Sequence, residues 1–162
     1  MTTETVVQQL VADLDYPMLI VTVATGEQRS GCLVGFSTQC SIEPARFLVC
    51  LSKNNATFGA ARQSSVLAVH FLTTEDHALS ELFGERTGDD VDKFARCNWD
   101  PGPQGVPLLR DAAGYYVGRV LERSDVGDHV AFLLEPVAAE QRRSGRQLGF
   151  QDVKDMEPGH EA

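Results

Sequence analysis

The apolar positions of the chain change period several times, and each change marks an element. Val6, Val7, Leu10, Val11 and Leu14 recur at helical spacing and Pro17 closes the segment, which predicts a short amphipathic helix. Met18 to Thr25 is then a β-branched run, a strand that stops at Gly26-Glu27, the turn of a hairpin returning through Gly31 to Phe36. Arg46 to Leu51 reads as a third strand, and Asn54 or Asn55 can cap a following helix that carries Phe58, Ala61 and Arg62. Ser65 to Leu72 is almost continuously apolar, as a strand buried on both faces would be.

Two helical pieces follow. Asp76 to Phe83 places Leu79, Leu82 and Phe83 on one face, and Asp89 to Cys97 places Val91, Phe94 and Ala95 on another. Between Trp99 and Pro107 the Pro and Gly content predicts a loop. Gly114 to Arg123 and His129 to Glu140 are two long strands joined across Ser124 to Asp128. The polar tail after Val153 is expected to fray, giving one domain over 1–153 and a flexible tail over 154–162. Strand pairs with inserted helices, rather than a regular alternation, favour a mainly β antiparallel barrel over a doubly wound sheet.

Composition narrows the function classes. The 162 residues fit one ordinary globular domain, which at this size can bury roughly 70% of its unfolded surface without staples. Twenty-three acids against 14 Lys and Arg give a net charge of −9, which argues against nucleic acid and anionic membrane surfaces as partners. No apolar run approaches the roughly 20 residues that span a bilayer, and the start of the chain lacks a secretory pattern, so a cytoplasmic location is expected. Cys32, Cys40, Cys50 and Cys97 form no C-x-x-C pair and have no histidine at finger-like spacing, so they read as reduced thiols and no metal site is expected. Asp89, Asp90 and Asp92 lack the Gly and distal Glu of a calcium loop and suit a helix start.

Dinucleotide, P-loop, nucleophile-elbow and zincin signatures are all absent. The informative stretch is Gly31 to Thr57. Gly35, Phe36, Ser37, Thr38 and Ser41 stand at a strand exit, where small and hydroxylated residues let backbone N–H groups approach a flat heteroaromatic ring or a phosphate. Ser52, Lys53, Asn54, Asn55 and Thr57 precede a helix, where side chains and free N–H groups can hold an anion. The same residues also read as two polar turns flanking a core strand.

Taken in order, several segments resemble the flavin reductase family of FMN-binding split barrels. They are Ile20 to Val23, Gly31 to Pro44, Phe47 to Thr57, Leu67 to Leu72, Asp92 to Phe94, Gly105 to Leu109, and Gly127-Asp128-His129. The resemblance covers roughly residues 16 to 140. It implies a split β-barrel, a homodimer that completes the site, FMN or FAD embraced by the two loops, and NADH or NADPH as electron donor. His129 would be the catalytic residue near the ring. The chain departs from the family pattern at Leu33, Gly35 and Phe36 in the first loop, at Ala45, at His70 and at Leu134.

Two functions follow from the resemblance. The first is a reductase passing hydride from reduced nicotinamide to flavin, with a partner monooxygenase, oxygen or iron downstream. The second is a non-catalytic carrier of flavin or of another planar cofactor, such as a deazaflavin or haem. Outside that site, His70 reads as a satisfied core residue, while His77 and His160 read as solvated. Gln141 to Arg146 could meet a cofactor phosphate but reads by default as an exposed basic loop, and Lys93-Phe94 as a cofactor contact or a helix with one snorkelling lysine.

Overall fold

A computed structural model describes residues 1–85 and 92–156. Helix α1 spans Thr3–Ala12, with the Thr2 hydroxyl accepting from the Thr5 N–H as its cap. Strands β1 (Leu19–Thr25) and β2 (Gln28–Val34) form the predicted hairpin, with Thr25 opposite Gln28 around the Gly26-Glu27 turn. Strand β3 (Ser37–Ser41) pairs with β4 (Arg46–Ser52). Helix α2 (Ala56–Ala61), strand β5 (Val66–Phe71) and helix α3 (His77–Gly84) come next. The short strands β6 (Trp99–Pro101) and β7 (Pro107–Leu109) precede the long hairpin of β8 (Gly114–Asp125) and β9 (His129–Gln141), and α4 is Phe150–Val153.

Seven of the strands form one antiparallel sheet in the order β2-β1-β5-β8-β9-β4-β3. Its two edge strands, β2 and β3, are consecutive in sequence and joined only by Gly35 and Phe36. Laid flat, six strand spacings would hold the edges roughly 29 Å apart, whereas the three peptide steps from Val34 to Ser37 reach about 11 Å at most. The sheet must therefore curl until its edges meet. Irregular register in β8 and β9, at Val117/Gly118 and Val120/Glu122, supplies local bends that permit the curl. The Cys50 N–H, donating to the Phe36 carbonyl at 2.8 Å, stitches the junction.

Strand alternation then divides the core. Leu19, Val21 and Val23 of β1 pack with Leu67, Val69, Val49, Leu51, Phe132 and Leu134 inside the barrel. Ile20 faces the other way, into a second cluster with Leu72, Phe83, Leu109 and Leu148. The expectation that β5 is buried on both faces holds: Val66 to His70 are all buried.

The outer cluster departs from the sequence reading in several places. The Trp99–Pro107 segment is not simply a loop, because β6 and β7 pair there as a two-stranded ribbon. Their strand signal is masked by three prolines and two glycines, and the ribbon is fixed from a distance. The Thr22 hydroxyl donates to the Pro107 carbonyl at 2.6 Å. The Leu109 N–H donates to His70 Nε2 at 3.0 Å, so Nδ1 carries the proton and donates to the Ile20 carbonyl.

Lys93 neither snorkels nor reaches out to a ligand from a helix face. It is 6% exposed in a single 3₁₀ turn, Lys93–Ala95, and its Nζ donates to the carbonyls of Gly31 and Phe83. Asp89, Asp90 and Val91 of the predicted helix lie outside the described residues, as does His160. The basic stretch 141–146 is mostly exposed, as expected, but two of its arginines are tied to the rest of the chain. Arg142 Nη1 donates to the Leu109 carbonyl at 2.8 Å, and Arg143 binds the buried Asp76 carboxylate and the Thr73 hydroxyl. Met156, just past Val153, packs on the outer cluster, and residues 157–162 of the expected tail lie outside the described residues.

His70 makes stability depend on pH. Complete burial lowers its pKa from 6.5 to about 4, because a second ring proton would be desolvated and would also break the bond from Leu109. The unfolded chain binds the proton more readily, so this contribution is complete above about pH 6.5 and is lost as pH falls toward 4. The full span is worth on the order of 3 kcal/mol. Urea unfolding across that window should show a falling midpoint in the native protein and a clearly flatter dependence in His70→Gln. Equal slopes in the two proteins would contradict this assignment.

Candidate functional site

Where the barrel edges meet, the chain leaves a cavity of about 170 Å³. Its wall brings together Gly35 and Phe36 from the linker, Cys50 and Ser52 from β4, Asn55 before α2, and His129 at the start of β9. Five of the residues singled out in the sequence therefore converge: Gly35, Phe36, Ser52, Asn55 and His129. The pairing of Ser52 with His129 across β4 and β9 brings residues far apart in sequence side by side.

The hairpin tip that carries His129 is held at several points. Gly127 takes φ 142°, a conformation that glycine adopts readily, which turns the chain from β8 into β9. The Lys53 N–H donates to the Asp128 carbonyl at 2.9 Å. His129 Nδ1 lies 2.7 Å from Asp128 Oδ1, and this contact holds the Asp128 carboxyl below the usual carboxylate range. Nδ1–H is thereby engaged, which leaves Nε2 as the ring nitrogen that a ligand can reach. The Phe36 ring lies 5.0 Å from the imidazole between centroids, and Tyr16 lies 6.3 Å from Phe36 and stacks on Phe150 at 4.9 Å. An aromatic row thus borders the cavity.

The other predicted residues fall differently. Ser37, Thr38 and Ser41 lie in the edge strand β3 rather than in a loop, and the Ser41 hydroxyl donates to the Pro44 carbonyl. The alternating small polar residues Ser37-Thr38-Gln39-Cys40-Ser41 look like a turn, but backbone pairing with β4 makes them a strand. Asn55 caps α2, its Oδ1 accepting from the Thr57 N–H at 2.9 Å. Thr57 is 1% exposed and its hydroxyl meets that of Ser30 at 2.9 Å, so it faces the protein interior. The Asn54 N–H donates to the Ser52 hydroxyl. Lys53 does not line the cavity; it follows the lining residue Ser52 in sequence, and its Nζ lies 2.8 Å from Asp125 Oδ2.

Sequence reasoning did not reach Tyr16, Met18, Cys50 or Phe150, which also line the cavity. Tyr16 and Phe150 meet because Pro17 and Gly149 form a bridge between distant segments, and no local pattern signals it. Burial pushes the Cys32 thiol up to about 11 and raises that of Cys50, which disfavours the thiolate at both. A larger hollow of about 570 Å³, lined by Phe47, Phe71, Tyr115 and Tyr116 among others, holds none of the residues expected from the sequence to touch the flavin, though part of the basic stretch 141–146 reaches its wall. Its Arg143 is already engaged by Asp76 and Thr73.

The sequence matches the flavin reductase like domain over residues 11–156. The chain belongs to the flavin reductase-like family. Among relatives, a ferric-chelate reductase (NAD(P)H) of Archaeoglobus fulgidus is 29% identical over 148 residues, covering 90% of this chain and 88% of the relative. An FMN reductase (NADH) RutF of Variovorax paradoxus is 36% identical over 104 residues, which cover 63% of this chain and 57% of that protein. The crystal structure of a flavin reductase domain protein from Arthrobacter sp. FB24 superposes with a TM-score of 0.84 at 21% identity, covering 98% of this chain and 96% of that one. The superposition shows a shared fold, the antiparallel split barrel of the family.

Within this flavin reductase-like barrel, Gly35 is required by close approach. A Cβ there would stand 2.6 Å from Tyr16 Cε2 and 3.1 Å from Met18 Sδ. Gly35→Ala should displace the Tyr16 ring and unsettle its stack on Phe150, at a cost of about 1–3 kcal/mol. Chemical denaturation measures the loss, and near-ultraviolet circular dichroism should report the altered aromatic row. A variant with unchanged stability and spectrum would show that Tyr16 does not hold the linker.

Proposed function

We propose that the chain is a flavin reductase that takes hydride from NADH or NADPH and delivers it to FMN or FAD. The observation that carries this reading is the convergence of Gly35, Phe36, Ser52, Asn55 and His129 on one cavity in a member of this family. The relatives named FMN reductase (NADH) and ferric-chelate reductase (NAD(P)H) support the cofactor and donor.

The residues present suit a flavin. The wall is mostly apolar and aromatic, with a few polar groups among its residues, as planar cofactor sites are. At about 170 Å³ the cavity is smaller than the roughly 300–1,000 Å³ of a complete ligand pocket. It would enclose part of a flavin ring, while the phosphate-bearing chain follows the rim toward Lys53. Bound flavin would supply hydride acceptance and donation. The protein's part is positional. Ser52 and Asn55 mark the polar side of the cavity, Phe36 offers an aromatic face, and Lys53 offers charge for the phosphate. His129 Nε2 accepts or donates a hydrogen bond at the nicotinamide or the ring.

We also propose that two copies complete the site. Two features support this. The cavity encloses too little of a flavin by itself. The apolar positions of α1 are all open to solvent, from Val6 at 39% to Leu10 at 65% exposed, and an unpartnered apolar stripe suits a subunit contact. Light scattering should then report about twice the 17.7 kDa chain mass, and a fully flavin-binding monomer would refute the shared site. Reduced flavin would pass to a partner monooxygenase, to oxygen or to iron. No helix among the described residues is long and apolar enough to cross a membrane.

Steady oxidation of NADH or NADPH on addition of FMN tests the reading, and tight flavin binding without turnover would favour the carrier alternative. His129→Ala should keep the fold and flavin affinity but lower kcat/KM tenfold or more, which is about 1.4 kcal/mol or above. Unchanged turnover in a stable variant would make His129 structural. Lys53→Ala should weaken FMN more than riboflavin, which has no phosphate. Because Thr57 is buried against Ser30, its replacement would test stability rather than phosphate binding.

A further inference from the structure

Lys53, next in sequence to the cavity-lining Ser52, is not idle. Its ammonium lies 2.8 Å from Asp125 Oδ2, and the other oxygen of the same carboxylate accepts from the Gly127 N–H at 3.2 Å. One carboxylate thus collects a cation and a backbone donor, the kind of contacts that an anionic oxygen of a ligand would use. Both contacts lower the Asp125 pKa, with Lys53 the larger cause, so the group is an anion at neutral pH. Asp125 is mainly exposed, with 70% of its side chain open, against 38% for Lys53. An ion pair this open is weak and can be exchanged for another anion at small cost. Asp125 also belongs to the hairpin tip that presents His129, and the Lys53 backbone is bonded to that tip at Asp128.

We propose that Asp125 is a built-in competitor for the ligand phosphate, holding Lys53 in the ligand-free protein and yielding it when a phosphorylated flavin binds. The inference rests on the placement of the flavin phosphate at Lys53, and it adds a residue that sets how strongly the site prefers FMN to unphosphorylated flavin. Phosphate binding must release Lys53 from Asp125, so the energy of that pair is subtracted from FMN affinity but not from riboflavin affinity. An exposed pair can account for a two- to fivefold effect, roughly the range measured for such contacts.

The experiment compares FMN and riboflavin affinities by flavin-fluorescence titration. Asp125→Asn is the main variant, since it removes the charge while keeping an oxygen that can accept from the Gly127 N–H. FMN should bind Asp125→Asn two- to fivefold more tightly, with riboflavin unchanged. In a Lys53→Met background the same substitution should change neither ligand. Unchanged or weaker FMN binding in Asp125→Asn, with wild type still preferring FMN, would overturn the competitor role alone. An equal gain in the Lys53→Met background would also overturn it, because Asp125 would then act by simple repulsion. Equal affinity of the wild-type protein for FMN and riboflavin would instead refute the phosphate placement itself. Asp125→Ser, which shortens the side chain as well, should give the same FMN gain and guards against an effect peculiar to the asparagine amide.

Discussion

The two-residue connection between β2 and β3 governs the rest of the molecule. Consecutive strands occupy opposite edges of a seven-stranded sheet, so chain connectivity alone forces closure. The closing bond from Cys50 to Phe36 fixes the linker backbone against β4. Side chains do not fill the junction as they fill the barrel interior, because Gly35 has none and Phe36, half exposed, stands in the cavity wall. The cavity is what remains. Its position is therefore a consequence of topology, and the residues that surround it are those that happen to reach the seam: the end of β4, the start of β9 and the segments around Tyr16 and Phe150.

A second layer steadies the seam from outside, and it does so with polar groups rather than with more apolar burial. Thr22 and His70 tie the β6–β7 ribbon to the central strands, Lys93 ties its turn to β2 and α3, and Arg143 ties the chain after β9 to Asp76. Each is buried or half-buried and each is satisfied; no buried side-chain nitrogen or oxygen lacks a partner among the described residues. Such groups give direction where dispersion would not, because a hydrogen bond fixes one arrangement of the ribbon over its neighbours. They also sort the titratable residues. His70 and Lys93 are spent on structure, whereas His129 at the seam lines the cavity.

Much of this was legible in the sequence where the information is local. The β1–β2 hairpin, the doubly buried β5, the long β8–β9 hairpin, the Asn55 cap and the core role of His70 all follow from period, turn residues or capping chemistry within a few positions. What failed was non-local. Ser37 to Ser41 carries no apolar alternation, and only its pairing with β4 makes it a strand. The Pro- and Gly-rich segment became a ribbon because distant side chains pin it. Lys93 looked like a surface cation because nothing nearby announces the carbonyls of Gly31 and Phe83. In the candidate site, the small and polar residues of the two informative segments pointed to the cavity, while the aromatic residues Tyr16 and Phe150 became neighbours only through the bridge at Pro17 and Gly149.

The charge of the chain sharpens what its rim must do. A net charge of −9 repels phosphorylated flavins and nicotinamide nucleotides at long range. At physiological ionic strength that field decays over about 8 Å, so its influence on a ligand already in contact is small beside that of the nearest groups. Selectivity for an anionic ligand is then decided within one or two side chains of the phosphate. On the proposed placement of the phosphate, Lys53 is the cation that would meet it, and Asp125 faces Lys53 across the ion pair. The general acidity of the protein slows encounter with every nucleotide alike, whereas the proposed role of the local pair would distinguish a ligand that carries a phosphate from one without. Discrimination and solubility can thus be set by different residues, which is why an acidic chain can serve an anionic cofactor.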